Sequence, residues 1–277
     1  MSVQFKEFKP SESLNQFVEL YWQGDFNIQR LNLLSQRVIP NGYVELIIHT
    51  SDVHCILYKN TTWSFSPNYT IIGLYTEPYI VQFNSHVKVF GIRFKPEGVY
   101  NVFGVPASEF KATYDDMENV LGQEFRDYCH RLRDAKDMHQ KIALTEKYLF
   151  RNHQRHNIDA NYVNRAAEII RQTNGFIRME ELSDQVFISM RQLERAFKNQ
   201  IGITPKLYMR LSRLNEVQRQ LENNKALDFI QITYDCGYAD QAHFIREFKN
   251  FTGEIPTIFV KDRQEFIVNA HVAHAIS

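Results

Sequence analysis

No stretch of the sequence stays apolar for long enough to cross a bilayer, and the opening MSVQFKEFKPSES has no apolar core of signal-peptide length. No membrane partner is therefore expected. Cysteine is scarce: Cys55, Cys129 and Cys236 are scattered, odd in number and never in Cys-x-x-Cys spacing. That usage fits a reduced, cytoplasmic chain. Net charge is absent too, with 32 basic residues against 32 acidic ones, which argues against coating nucleic acid through bulk positive charge but leaves room for local basic faces. Apolar residues are not scarce. A hydrophobic fraction of 44% with 13% aromatics, over 277 residues, suffices for packed cores and allows two domains.

The common signatures of catalysis are missing as well. There is no Gly-x-Ser-x-Gly, no P-loop and no Gly-x-Gly-x-x-Gly. His153-x-x-His156 and His271-x-x-His274 lie in polar stretches without a carboxylate at metal-site spacing. His49, His54 and His86 do not make the His-x-His pair with a following Glu that a metal-holding barrel wants. We therefore expect no catalytic residue, no metal ligand and no cofactor, and read the chain as not an enzyme.

Two halves differ in pattern. From Tyr21 to about Pro96, short apolar runs alternate with turn residues: Pro40-Asn41-Gly42 precedes the strand-like Tyr43–His49, and Ser66-Pro67-Asn68 precedes Tyr69–Tyr75 and then Val87–Phe94. These predict an antiparallel sandwich or small barrel. Met117 to Phe150 then places Leu121, Phe125, Tyr128 and Leu132, and after a break near Asp134 Ile142, Leu144 and Tyr148, at helical spacing. The apolar stripe of these two helices is open to two readings, self-association or packing onto the chain's own barrel. The polar Arg151–Asn157, RNHQRHN, is expected to be a linker. The fold class is thus α+β in two domains: a β-rich domain with C-terminal helices at 1–152, and an all-α domain at 158–265.

The all-α part carries a repeat. LERAFKNQIGITP, Leu193 to Pro205, returns as FIREFKNFTGEIP, Phe244 to Pro256, at a constant offset of 244 − 193 = 51. In the first copy a short helix from Met179 leads through Val186-Phe187-Ile188 to Ser189, an N-cap for the next helix. Leu193, Ala196 and Phe197 form its inner face, Gly202 suits its C-terminus, and Thr204-Pro205 opens another helix. The second copy has Phe229 at its start, the turn Gly237-Tyr238, the cap Asp240, inner Phe244 and Phe248, then Gly253 and Pro256. A helix, a tight turn and a second helix with a basic outer face describe a helix-turn-helix unit. A repeated fold need repeat only core, caps and glycines. Here the outward Arg195 and Arg246, and the Lys-Asn pairs after them, recur as well. Between the units, Thr204 to Glu222 has the length of a connecting helix.

With these residues in place, the region Ile158–Arg263 resembles the AraC/XylS family of bacterial transcription regulators. Its signature stretch is GYADQAHFIREFKNFTGEIPTIF, Gly237 to Phe259, with Tyr238 where the family has Phe. The first half resembles the sensing domain of one branch of that family through Tyr21-Trp22, Pro40-Asn41-Gly42, Glu45-Leu46-Ile47 and Gly91-Ile92-Arg93-Phe94-Lys95-Pro96; Asn41 replaces the usual Asp, an equally good turn residue. The resemblance implies a cytoplasmic, nucleoid-associated regulator that binds double-stranded promoter DNA, works with RNA polymerase, responds to a small-molecule effector and forms a homodimer.

It also assigns residues. Major-groove contacts fall to Met190, Arg191, Glu194 and Arg195 of the first recognition helix and to Gln241, Ala242, Ile245 and Arg246 of the second. Glu194 has the alternative of pairing with Lys198 one turn on. Lys198, Lys249, Arg210 and Arg213 are candidate phosphate contacts, the last two equally readable as a solvated face. Tyr21, Trp22, Arg37, Glu45 and Arg93 are candidates for an effector pocket. Two other readings are open: an enzyme targeted to DNA, such as an alkylation-repair protein using Cys55 or Cys129, and an architectural DNA binder without sensing. Neither cysteine has the paired Pro-Cys context that repair chemistry needs, so packed thiols are expected.

Overall fold

The computed structural model describes residues 2–27, 34–59, 61–83, 85–110, 115–156, 162–223, 229–261 and 266–267. The strands are β1 (Ser2–Phe8), β2 (Val18–Asn27), β3 (Leu34–Val38), β4 (Val44–His49), β5 (Ile56–Lys59), β6 (Thr62–Phe65), β7 (Tyr69–Ile72), β8 (Tyr79–Phe83), β9 (His86–Phe94), β10 (Asp115–Asp116) and β11 (Phe266–Ile267). They make two sheets, of order β1-β2-β9-β4-β7-β10 and β11-β3-β8-β5-β6. All pairings are antiparallel except β11 on β3, which is parallel.

Successive side chains on a strand point to opposite faces, so the larger sheet serves two cores. One face, with Trp22, Phe26, Val87 and Val89, packs against Leu57, Val81 and Phe83 of the smaller sheet. The other, with Tyr21, Leu46, Ile48, Phe90, Ile92 and Phe94, lies under helices. Those helices are α1 (Gly98–Phe103), α2 (Met117–Asp134) and α3 (Met138–His156). Phe125, Tyr128, Leu132, Tyr148 and Leu149 are buried against the sheet, so the chain's own strands cover the apolar stripe of α2 and α3. Helix α2 is interrupted at Gly122, where φ is 67°.

The expected linker is helical as far as His156. Polar residues extend α3 because two of them face inward. Asn152 is buried, and His153 packs on Phe17, with tilted rings whose centroids are 4.4 Å apart, and places Nδ1 3.1 Å from the Asn101 carbonyl. Asn157 lies outside the described residues.

Helices α4 (Tyr162–Gln172), α5 (Met179–Gln185), α6 (Met190–Ile201), α7 (Pro205–Asn223), α8 (Phe229–Asp235), α9 (Gln241–Thr252) and α10 (Pro256–Lys261) follow. Leu182, Leu193, Phe197 and Tyr208 share one core with Ile169 and Ile170, and Leu214, Ile232, Phe244, Phe248 and Phe259 share another. Helix α7 belongs to both and is the spacer between the units. Its 19 residues span about 28 Å at the α-helical rise.

The helical part is docked on the β part. Arg171 of α4 grips Glu97 with both terminal nitrogens, at 2.6 and 2.8 Å. The side-chain amides of Asn101 and Asn164 bond reciprocally at 3.0 Å. The turn Pro40-Asn41-Gly42 forms as its composition predicts: the Tyr43 N–H donates to Asn41 Oδ1 at 3.0 Å, and Gly42 takes φ 72°. The sequence did not say where that turn goes. It seats on α7, where Asn215 donates to the Asn41 carbonyl at 2.7 Å and Ile39 is buried in the second helical core.

Candidate nucleic-acid interface

Both recognition helices are built by their caps. Ser189 precedes α6 and its hydroxyl accepts from the Gln192 N–H, while Asp240 precedes α9 and its carboxylate accepts from the His243 N–H at 2.7 Å. Gly202 and Gly253 end the two helices at φ 93° and 80°. The Leu207 N–H donates to Thr204 Oγ1 at 3.2 Å, so Thr204 caps α7. Every cap read from the sequence is present.

The inner faces sink into core: Leu193 and Phe197 in α6, Phe244 and Phe248 in α9, with Ala196 partly covered. The outer faces are open. Met190, Arg191, Glu194, Arg195 and Lys198 are exposed along α6, and Gln241, Ala242, Arg246 and Lys249 along α9. Among the described residues no ion pair joins Glu194 to Lys198 or occupies Arg191, Arg195 or Arg246. Ile245 differs from the rest: it is half-buried and packs partly on the second core.

Two suggested phosphate contacts are engaged by protein. Arg210 donates to Glu247 at 2.7 Å and lies 5.1 Å over the Phe251 ring, tying α7 to α9. Arg213 lies 5.8 Å from the Tyr238 ring centre. Spacing alone did not reveal this, because α9 reaches them only through the tertiary fold.

The units are also braced by a contact that no motif announced. A side chain at Gly237, in the second turn, would collide with the ring of Phe176 from the loop before the first unit. Phe176 thus packs against the second turn, and α7 is not the only link between the reading helices.

Residues 182–262 match a family described as a helix-turn-helix domain. Over 77 residues the chain is 36% identical to the HTH-type transcriptional regulator ArgR of Pseudomonas aeruginosa, covering 28% of this chain and 23% of that protein. Over 91 residues it is 30% identical to the HTH-type transcriptional activator RhaS of Escherichia coli, covering 33% and 32%. This chain carries the helix-turn-helix domain of AraC-type regulators. The AraC-type part matches only a piece of each relative: the chain spans between 23% and 32% of the length of these two. Ahead of it, residues 6–115 match a family described as a domain of unknown function (DUF6597). Among solved structures, the chain is similar to ToxT from Vibrio cholerae, at 8% identity and a TM-score of 0.48 over 94% of this chain and 98% of that one. It is also similar to a regulator with an AraC-type DNA-binding domain from Chromobacterium violaceum, at 25% identity and a TM-score of 0.34 over 37% and 91%.

The five residues expected around an effector do not line one pocket. Tyr21 and Trp22 alternate across β2, so Tyr21 faces the helices and Trp22 the space between the sheets. Arg37, on the smaller sheet, reaches Glu254 beyond α9 at 3.1 Å. Trp22, Glu45 and Arg93 do come together. Trp22 Nε1 donates to Glu45 Oε2 at 2.9 Å, and Arg93 Nε donates to Glu45 Oε1 at 2.6 Å. Gly91 pairs across from Trp22, and any side chain there would strike the indole. Three motifs far apart in sequence therefore build one buried cluster, with the Arg93 guanidinium 5.6 Å from the Tyr43 ring centre. Its carboxylate oxygens are both occupied.

A cavity of about 180 Å³ lies elsewhere, between the halves. Val44, Leu74, Val99 and Phe110 line one side, and Ile201 and Gly202 at the end of α6 line the other. The thiols are poor nucleophiles: all three are buried, and burial pushes Cys55 up to about 11 and Cys236 up to about 12.

Proposed function

We propose that the chain is a sequence-specific, DNA-binding transcription regulator acting in the cytoplasm of a bacterium, associated with the nucleoid when bound. One observation carries this reading. Two helix-turn-helix units on a braced spacer present matching arginines, Arg195 and Arg246, to solvent, with no ion-pair partner among the described residues. The spacer length of about 28 Å approaches the ~34 Å between major-groove faces one turn apart on the same side of a duplex. Arg at these positions pairs with guanine O6 and N7, and Gln241 with adenine N6 and N7.

The cavity between the halves supports an effector-sensing role for the β-rich part. Its volume of about 180 Å³ admits a compact molecule, and its mixed polar and apolar lining suits an effector carrying both kinds of group. Such a ligand touches both the β part and the end of α6, and favours whichever arrangement completes its contacts. Homodimerisation is assigned to the edge strand β6, all of whose residues are exposed and whose Phe65 is 72% accessible. RNA polymerase is the further partner that regulation of this kind requires.

The test is a binding titration on duplexes selected by the wild-type chain from a random library. Arg195→Ala and Arg246→Ala should each lose about 1–3 kcal/mol with relaxed preference at one base pair. Unchanged affinity in both variants removes the reading.

A further inference from the structure

Among the described residues, the most exposed large apolar side chain is Phe187, at 95%. It lies in the turn of the first unit, and the second unit shows what that position ordinarily needs. Helices α5 and α8 end 235 − 185 = 50 residues apart, whereas α6 and α9 start 241 − 190 = 51 apart. The second turn therefore holds one extra residue, and positions ahead of it correspond at an offset of 50. By that count Phe187 corresponds to Gly237. The hydrogen bonds agree. The Phe187 N–H donates to the Asp184 carbonyl and that of Ile188 to Ser183; the Gly237 N–H donates to Tyr234 and that of Tyr238 to Thr233. Both residues are left-handed, with φ 56° at Phe187 and 60° at Gly237.

Glycine adopts that conformation without penalty, whereas a bulky aromatic is strained in it. Phe187 thus combines backbone strain with a ring left in water, and neither stabilises the isolated chain. Strain held in place by its surroundings points to a contact made on binding. The location limits the partner. Phe187 stands two residues before the cap of α6, whose N-terminal residues are the ones a recognition helix brings to base edges. On the α6 side stand exposed Arg191 and Arg195; on the α5 side stand exposed Glu180, Glu181 and Asp184. A polyanion is drawn to the first and kept from the second, which leaves Phe187 at the rim of the contact.

We infer that Phe187 is a DNA-contact residue, its ring packing on the sugars and thymine methyls of the groove wall as α6 enters. This rests on the DNA-binding reading above. It gives the two units different tasks: the first adds an apolar anchor at its turn, while the second places glycine there and uses the space for Phe176.

The experiment compares wild type, Phe187→Gly, Phe187→Asn and Arg195→Ala, each as the full chain. The probe is a duplex of about 30 base pairs, three helical turns, selected by the wild type from a random library. Glycine and asparagine both tolerate the left-handed turn, so both variants should melt higher, by roughly 2–4 °C. Both should bind about tenfold more weakly, the effect expected for losing one buried aromatic contact. No charge is removed, so the salt dependence should stay that of the wild type. If the wild type selects no duplex, the DNA-binding reading fails first. If Arg195→Ala weakens binding while both Phe187 variants bind like wild type, the assignment of Phe187 is overturned and a protein partner takes its place. Lower melting in both variants overturns it too, since the strain on which it rests is then absent.

Discussion

Glu45→Leu is the sharpest perturbation of the β-rich part, because it removes the one group that both Trp22 and Arg93 address. Arg93 and Glu45 side chains are only 6% and 10% exposed, so the variant leaves a buried guanidinium without its hydrogen-bonded carboxylate, with the charge of Glu7 nearby as partial compensation. Arginine cannot shed its proton to escape, and stranding one member of a buried pair costs about 3–5 kcal/mol. Arg93→Met should cost less, and less again at lower pH, because a stranded carboxyl can take up a proton. The double variant Glu45→Leu/Arg93→Met should recover most of the loss, since a buried pair exchanged for apolar residues of similar volume is often near neutral. Urea unfolding followed by tryptophan fluorescence suits the question. The chain has 2 tryptophans, and one of them, Trp22, is bonded to the perturbed carboxylate. A single-variant loss under about 1 kcal/mol, or a double variant no better than the sum of the singles, refutes the cluster as drawn.

Other consequences follow from the same geometry. Gly237→Ala places a methyl at φ 60° against the Phe176 ring and should destabilise the helical half by about 1–2 kcal/mol from the backbone alone, readable as a lower Tm. Burial and neighbouring His54 hold the His49 imidazole at about 4 against 6.5 when unfolded. The unfolded chain therefore binds the extra proton between those values, and stability should be complete above pH 6.5 and fall by about 3 kcal/mol as pH drops to 4. His49→Gln should flatten that slope in pH-dependent unfolding. Lys249→Ala should weaken binding to all sequences alike and reduce the salt slope by about 1 in titrations at several ionic strengths.

What the sequence disclosed was local. Caps at Ser189, Thr204 and Asp240, the left-handed glycines and the inner faces of α6 and α9 each depend on residues within a few positions, so pattern and chemistry coincide. The break between α2 and α3 was legible for the same reason. The slip from 50 to 51 between the two units was not, because the repeat is plain only after the turn. Pairings across long separations were equally hidden. Glu97 meets Arg171 across 74 residues and Arg37 meets Glu254 across 217, and nothing near either residue encodes the partner. The Tyr-Trp, Glu-Leu-Ile and Gly-Ile-Arg-Phe motifs stood out individually. Their meeting in one buried cluster needed the strand order β2-β9-β4, which no single motif carries. Arg151–His156 was misjudged as a linker because polarity marks solvent exposure, and most of a helix's outer face is exposed without ceasing to be helix.

The central claim is that the two reading helices engage one face of one duplex together. The direct measurement is the affinity of the wild-type chain for its selected duplex before and after five base pairs, about half a helical turn, are inserted between the two protected half-sites. A braced spacer cannot follow the second half-site to the opposite face, so affinity should drop to that of a duplex bearing one half-site. Equal affinity for the two spacings contradicts the account.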